Sequence, residues 1–136
     1  MGKTTMLIVE DQAYMRRLLR EFLQLAHPDE IILEAGNGSS ALALCREHSP
    51  RLVLMDVGLP DANGLELTAQ IKSLLPDTAV IVVSAHDSPA YLEHARAAGA
   101  CAYVVKDNVY RDLLDHVRSA LLQTAPDGKD APRAGG

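Results

Sequence analysis

The segment MLIVEDQ, residues 6–12, places a short apolar run directly before two acidic residues. Met6 to Val9 is the kind of run that is typical of a strand buried in a sheet. Glu10 and Asp11 then put two like charges side by side at the end of that strand. Since like charges repel, we expect a cation to lie between the two carboxylates.

The same pattern of a short apolar run followed by a polar residue recurs along the chain. The runs that we predict to be strands are Met6–Val9, Ile31–Leu33, Leu52–Met55, Ala79–Val83 and Cys101–Val105. Apolar residues at helical spacing follow each of them, which predicts five helices. The fourth helix, predicted over Pro89–Ala98, has only Tyr91 and Leu92 as large anchors, so we expect it to pack loosely. The alternation predicts an α/β domain with a parallel sheet covered on both faces.

The boundaries of these elements carry consistent signals. Asn37 precedes the second helix, Ser88 and Pro89 open the fourth, and Gly99 ends it. From residue 124 on, the sequence is rich in Pro, Gly, Ala and charge, which predicts a disordered tail or the start of a linker over 124–136. The folded domain is therefore predicted to span residues 4–123.

Composition limits the class of protein. The chain has 136 residues, enough for one domain, and a net charge of −5 with scattered basic residues, which argues against a nucleic-acid or anionic-membrane binder. No apolar stretch reaches the ~18 residues that span a bilayer. No signal peptide is visible, so we expect a cytoplasmic protein. Cys45 and Cys101 are expected to be reduced core residues.

Polar residues follow four of the five predicted strands. Glu10 and Asp11 follow the first, Asp56 closes LVLMD, Ser84 closes VIVVS and Lys106 closes AYVVK. Ligands of open parallel sheets bind at the carboxyl ends of the strands, so we expect these side chains to converge. Carboxylates without thiolates or imidazoles favour a hard cation such as Mg²⁺. A carboxylate beside a metal and a lysine is suited to attack phosphorus, which would give an aspartyl phosphate.

Four segments, VEDQ, LVLMDVGLPDANGLEL, VIVVSAHD and YVVKD, occur in this order across residues 4–123. In them the chain resembles the receiver domain of bacterial response regulators. The resemblance implies a flavodoxin-like (βα)5 three-layer sandwich with a parallel sheet of order 2-1-3-4-5. It implies that Asp56 accepts a phosphoryl group from a histidine kinase or a histidine phosphotransfer protein. Mg²⁺, or Mn²⁺ in its place, would be held by Glu10, Asp11, Asp56 and the Gly58 carbonyl.

Further roles are implied by the resemblance alone. Lys106 and Ser84 would contact the phosphoryl group, and Tyr103 would follow the movement of Ser84 as the second switch residue. Gly58 and His86 would set the lifetime of the phosphoryl group. The domain would act as a signalling switch that catalyses only its own phosphorylation and dephosphorylation.

The segment SAHDSPAYLEHARAAGACAYVVKD resembles the subfamily whose receivers usually precede a helix-turn-helix DNA-binding domain. We therefore expect either a stand-alone receiver or part of a longer transcription regulator, without direct nucleic-acid binding by these residues. A homodimer that forms on phosphorylation through the last helix and the fifth strand is a further expectation of the resemblance. Two residues depart from the commonest pattern, namely Glu10 in place of Asp and Asp107 where many receivers have Pro.

Two other functions stay open at this point. An aspartate-dependent phosphohydrolase typically carries a second acid two residues after its nucleophile, where this chain has Gly58. A phosphorylation-independent interaction module would be expected to have lost the acceptor or the lysine, and both are present. Arg16, Arg17 and Arg20 could form a docking patch, although a solvated helix face is the favoured interpretation.

Overall fold

A computed structural model of the chain describes residues 4–123. The predicted tail, residues 124–136, lies outside the described residues. Over residues 4–123, five strands alternate with five helices, and one 3₁₀ turn at Lys106–Asn108 follows the last strand. The elements are β1 Thr5–Val9, α1 Ala13–Ala26, β2 Ile31–Ala35, α2 Gly38–His48, β3 Leu52–Met55, α3 Gly64–Leu74, β4 Ala79–Ser84, α4 Pro89–Ala98, β5 Ala102–Val105 and α5 Val109–Gln123.

The five strands form one parallel sheet in the order β2-β1-β3-β4-β5. The predicted α/β class, the flavodoxin-like topology and the strand order are confirmed. In the register of the sheet, Val9 lies opposite Met55 and Ser84 lies opposite Val105. The strands β1, β2 and β3 end level with one another, and β4 and β5 end level two residues further on, so the residues at their carboxyl ends meet at one edge.

Alternate residues of the strands serve the two faces of the sheet, as the period of two requires. One face, with Ile8, Leu54 and Ile81, packs against α1 and α5. The other, with Val9 and Met55, packs mainly against α2 and α3. The central strands are buried on both faces, which explains why their sequences are continuous apolar runs rather than alternating ones.

The helix ends follow the predicted signals. Asn37 caps α2 by accepting the Ser40 N–H at 2.8 Å, and Ser88 caps α4. Gly99 ends α4 in the left-handed conformation, with φ of 106°, which only glycine adopts without strain. The fourth helix is loosely anchored as expected, since Ala95 is its one buried residue.

Some details of the sequence-based prediction are wrong. Cys45 is buried, but Cys101 is exposed because it precedes β5 at the turn after Gly99. The second strand extends to Ala35 rather than ending at Leu33.

Within residues 4–123 no peptide bond is cis, so the Lys106–Asp107 bond is trans. None of the helices described over that range is long and apolar enough to cross a membrane.

Candidate functional site

Backbone hydrogen bonds fix the first residues beyond β1 and β3 at the carboxyl edge of the sheet. The Glu10 N–H donates to the Ala35 carbonyl at 3.0 Å, and the Asp56 N–H donates to the Val9 carbonyl at 3.0 Å. These bonds extend the strand pairing past the strand ends. The acidic side chains therefore start from a rigid frame rather than from a flexible loop.

Three carboxylates converge at this edge. Glu10, Asp11 and Asp56 each offer an oxygen within 4.8 Å of the others. Glu10 is fully buried and Asp56 is 7% exposed, whereas Asp11 is exposed and leaves the cluster open to solvent. Three hard oxygen ligands around an open position suit Mg²⁺, which keeps several of its waters.

Both oxygens of the buried Glu10 carboxylate have contacts within the protein. The Oε2 atom accepts the Gln12 N–H at 3.1 Å, and the Oε1 atom lies 3.0 Å from the Lys106 ammonium, an ion pair without good hydrogen-bond geometry. Without that ammonium a buried carboxylate oxygen would be costly. The fit to a divalent cation therefore rests on the three clustered carboxylates together.

Lys106 supplies the positive charge of the site from the end of β5. Its Nζ atom lies 3.0 Å from Glu10 Oε1 and 3.5 Å from Asp56 Oδ1. Its side chain is 15% exposed, so the ion pairs are weakly screened by solvent. The ammonium thus contacts two of the three carboxylates, and its single positive charge offsets one of their three negative charges.

The electrostatics of the site raise the pKa of several groups. Burial raises the pKa of Glu10, with Lys106 opposing it and Asp56 adding to it. Burial also raises the pKa of Asp56, with Lys106 opposing it and Asp11 adding to it. For Lys106, burial alone would lower the pKa, but the two carboxylates outweigh that effect and raise it. The charged forms of the two carboxylates are therefore disfavoured in the site, and a further cation would stabilise them.

The loop between β3 and α3 is shaped by two glycines of different kinds. Gly64 is buried, and its N–H donates to the Val57 carbonyl at 2.7 Å. A Cβ at Gly64 would lie 2.0 Å from the backbone oxygen of Asp56, so only glycine fits. A Cβ at Gly58 would meet nothing within 4 Å. The loop returns so closely because Gly58 pairs with Asn63, whose side chain caps α3.

Asp61 ties this loop to α2, which the sequence did not indicate. Its carboxylate accepts the N–H of Gly38 at 2.7 Å and that of Ser39 at 3.1 Å. These hydrogen bonds lower the pKa of Asp61. Asp61 thus caps a helix that starts 23 residues earlier in the chain, and no local spacing could have revealed such a contact.

Ser84 and Tyr103 are linked to each other through His86. The Ser84 Oγ atom accepts the His86 N–H at 3.1 Å, and the Tyr103 hydroxyl donates to the His86 carbonyl at 2.8 Å. The His86 ring contacts Tyr91 of α4 edge to face, with 4.4 Å between the centroids. Ser84 lies at the same edge as Asp56, but among the described contacts its hydroxyl does not bond to that carboxylate.

The arginines of α1 were only partly predicted. Arg17 is exposed, as a solvated face requires. Arg16 and Arg20 instead both pair with Glu34 of β2, and Arg16 also donates to the Glu10 carbonyl at 2.7 Å. The favoured interpretation of a solvated face is therefore wrong for these two residues.

Comparison with known proteins gives a consistent match. The model of the response regulator receiver domain matches residues 6–118. The uncharacterized transcriptional regulatory protein YxjL of Bacillus subtilis (strain 168) is 30% identical over 118 residues, which cover 87% of this chain and 54% of that protein. The crystal structure of a LuxR-family DNA-binding response regulator from Staphylococcus aureus has a TM-score of 0.79 at 30% identity, covering 86% of this chain and 98% of that chain. The crystal structure of a CheY-like response regulator receiver domain protein from Methanospirillum hungatei JF-1 has a TM-score of 0.85 at 27% identity. The match covers 93% of this chain and 100% of that chain.

The chain spans about half the length of the first curated relatives that it matches. Those relatives are named as transcriptional regulatory proteins, which agrees with the resemblance to receivers linked to DNA-binding domains. The family match covers every strand-end residue described above. On these grounds the chain belongs to the response regulator receiver domain family.

Proposed function

We propose that this domain accepts a phosphoryl group on Asp56, from a histidine kinase or a histidine phosphotransfer protein, and thereby switches conformation. The observation that carries the proposal is the position of Asp56. It is a mostly buried carboxylate with an ammonium 3.5 Å away and two further acids around it, at the end of a central strand. Residues 4–123 form the receiver in this proposal.

Each residue of the site has a separate task in the transfer. An oxygen of Asp56 forms a bond to phosphorus as the bond from phosphorus to the donor imidazole nitrogen breaks, and the imidazole leaves with the electron pair. Lys106 offsets the charge on the phosphoryl oxygens. Glu10, Asp11, Asp56 and the Gly58 carbonyl would hold Mg²⁺, or Mn²⁺ in its place. When bound, that cation supplies further charge neutralisation and orients the phosphoryl oxygens.

The switch is proposed to run from Ser84 to Tyr103. If the Ser84 hydroxyl turns to donate to the new phosphoryl group, the His86 N–H that it now accepts must shift with it. The Tyr103 hydroxyl is bonded to the carbonyl of that same His86, so the ring is coupled to the movement. The start of α4 is a low-cost place for this change, because that helix has a single buried residue.

The lifetime of the phosphoryl group is proposed to depend on Gly58 and His86. Both are exposed residues. The space beside Gly58 is open, so water is expected to reach the acceptor from that side. His86 borders the site through its backbone contact with Ser84.

The partners and the output are proposals of the same kind. The matched relatives are longer proteins named as transcriptional regulatory proteins, which supports a DNA-binding output domain, and a stand-alone receiver is the alternative. A homodimer formed on phosphorylation is proposed from the family resemblance. The phosphohydrolase alternative has no support at Gly58, which offers no acid. The interaction-module alternative has none either, since the acids and Lys106 form close contacts.

The test is phosphate incorporation from acetyl phosphate in the presence of Mg²⁺, observed on a phosphate-affinity gel. The parent chain should give a shifted band that is absent from Asp56→Asn and from reactions without Mg²⁺. The proposal would be refuted by two results together. The gel band of the parent chain would stay unshifted even with a histidine kinase as donor, and beryllofluoride would leave the amide spectrum of the chain unchanged. Turnover of a free phosphomonoester would favour the phosphohydrolase.

A further inference from the structure

Arg16 connects β2 to the backbone of the acidic cluster. Its Nε atom donates to Glu34 Oε1 at 3.0 Å, and its Nη1 atom donates to the Glu10 backbone carbonyl at 2.7 Å. That carbonyl belongs to the peptide unit that joins Glu10 to Asp11. One guanidinium group therefore spans from the second strand to the peptide between two of the three clustered acids.

Glu34 is itself held in place by a second arginine. Arg20 donates to the other oxygen of Glu34, and its Nη2 atom donates to the Ile32 carbonyl at 2.7 Å. Burial would raise the pKa of Glu34, but the two arginines outweigh it and lower that pKa. Glu34 therefore stays charged at neutral pH and orients the planar fork of Arg16.

The Asp11 side chain has no such support of its own. Within residues 4–123 it makes no hydrogen bond or ion pair, and it is exposed. Its direction therefore depends on the backbone of the Glu10–Asp11 peptide. Mg²⁺ demands near-ideal octahedral geometry at about 2.0–2.1 Å, so a ligand whose backbone can rotate is a poor ligand.

We propose that Arg16, oriented by Glu34, is a positioning residue for the Mg²⁺ site, because it fixes the peptide plane from which Glu10 and Asp11 project. We call the Arg16–Glu34 pair the α1 brace. The inference rests on the proposed function, since it assumes that the acidic cluster holds the cation.

The α1 brace makes a prediction opposite in sign to simple electrostatics. Removing the positive charge of Arg16 from the neighbourhood of an acidic cluster would, by Coulomb's law alone, tighten the binding of a cation. If Arg16 positions the ligands, its removal must weaken binding instead. Loss of a group that orients metal ligands typically costs about 10- to 100-fold in metal affinity.

The experiment measures the Mg²⁺ affinity of the whole chain by isothermal titration calorimetry and by amide NMR shifts. The matched control for Arg16→Ala is Arg17→Ala, which removes the same charge from the next position of the same helix, where the side chain is exposed. Arg16→Lys keeps the charge, but one ammonium cannot reproduce the two-armed contact. Thermal unfolding checks that each variant is folded. If Arg16→Ala is not folded, the Mg²⁺ affinity of Arg16→Lys is compared with that of Arg17→Ala instead.

We expect Arg16→Ala to weaken Mg²⁺ binding about tenfold or more and Arg17→Ala to leave it unchanged or slightly tighter. Glu34→Gln should also weaken it, and should add little in the double variant with Arg16→Ala. Equal affinities of the two alanine variants would overturn the α1 brace and leave the proposed function intact. A parent chain that binds no Mg²⁺ would instead overturn the metal site of the proposed function, and the brace with it.

Discussion

Gly64→Ala is the substitution for which the structure gives the sharpest magnitude. The added Cβ would lie 2.0 Å from the Asp56 backbone oxygen and 2.8 Å from Val57 Cα. Real Cβ contacts are essentially never below 3.0 Å, so the atoms must separate by at least 1.0 Å, the difference between 3.0 and 2.0 Å. Neither clashing atom belongs to a flexible side chain. The start of α3 or the end of β3 must therefore move.

Overpacking of this kind costs about 1–3 kcal/mol, and a backbone clash belongs at the upper end of that range. For a domain of this size, about 3 kcal/mol corresponds to a fall of roughly 10 °C in melting temperature. Because the displaced backbone carries Asp56, the proposed acceptor, a shift of about 1 Å should also slow phosphorylation about 100-fold.

The assays are thermal and urea unfolding followed by circular dichroism, and the rate of labelling by acetyl phosphate. Gly58→Ala is the matched control for stability, since it adds the same methyl group in the same loop where nothing lies within 4 Å. Its free energy of unfolding should stay within about 1 kcal/mol of the parent's. The reasoning is refuted if the two variants are equally stable, or if Gly64→Ala is labelled as fast as the parent.

Other outcomes follow from the electrostatics and the hydrogen bonds of the site. Asp56→Asn removes a carboxylate whose pKa is raised in the folded state, so in metal-free buffer it should stabilise the chain at pH 7 by about 0.5–2 kcal/mol. As the pH falls, the Asp56 carboxylate is protonated in the folded state before it is protonated in the unfolded state. The stability advantage of Asp56→Asn in urea unfolding should therefore shrink as the pH falls towards 3.8. An advantage that does not change with pH would contradict this reasoning. Tyr103→Phe leaves the His86 carbonyl without its donor, which should cost about 0.5–1.5 kcal/mol. It should also abolish the change in hydrogen exchange of the β4–α4 loop that beryllofluoride causes in the parent, and equal changes in both would exclude the proposed coupling. His86→Ala should alter the rate of dephosphorylation, and equal rates would remove His86 from the lifetime proposal.

Features encoded locally in the sequence were predictable. An apolar run ended by a charged residue is a local pattern, so the ends of β1, β3 and β5 are enough to predict that Asp56 and Lys106 meet at one edge. The caps at Asn37 and Ser88 are likewise readable over a few residues. Periodicity and capping are short-range physics, and they predicted the elements along the chain, whereas the strand order 2-1-3-4-5 was implied by the family resemblance alone.

Contacts between distant elements were not predictable in this way. Asp61 caps α2 across 23 residues, and Arg16 reaches Glu34 across 18. Nothing in the spacing of these residues distinguishes them from solvated charges. Cys101 is an error of the opposite kind, in which a residue predicted to be buried is exposed. Its apolar neighbours in the sequence favoured a core position, but it lies exposed before β5. Such contacts depend on how the elements pack, which local patterns do not encode.

The ammonium of Lys106, within 3.5 Å of both Glu10 and Asp56, has a consequence for how the protein is made. Because Lys106 is a counter-ion for the buried acids within the chain itself, we expect the chain to fold without a bound metal ion. A chelator should therefore leave the melting curve cooperative and the fold intact, in contrast to small zinc domains that unfold without their ion. We therefore expect newly synthesised chains to fold first, with the divalent cation of the proposed site binding afterwards.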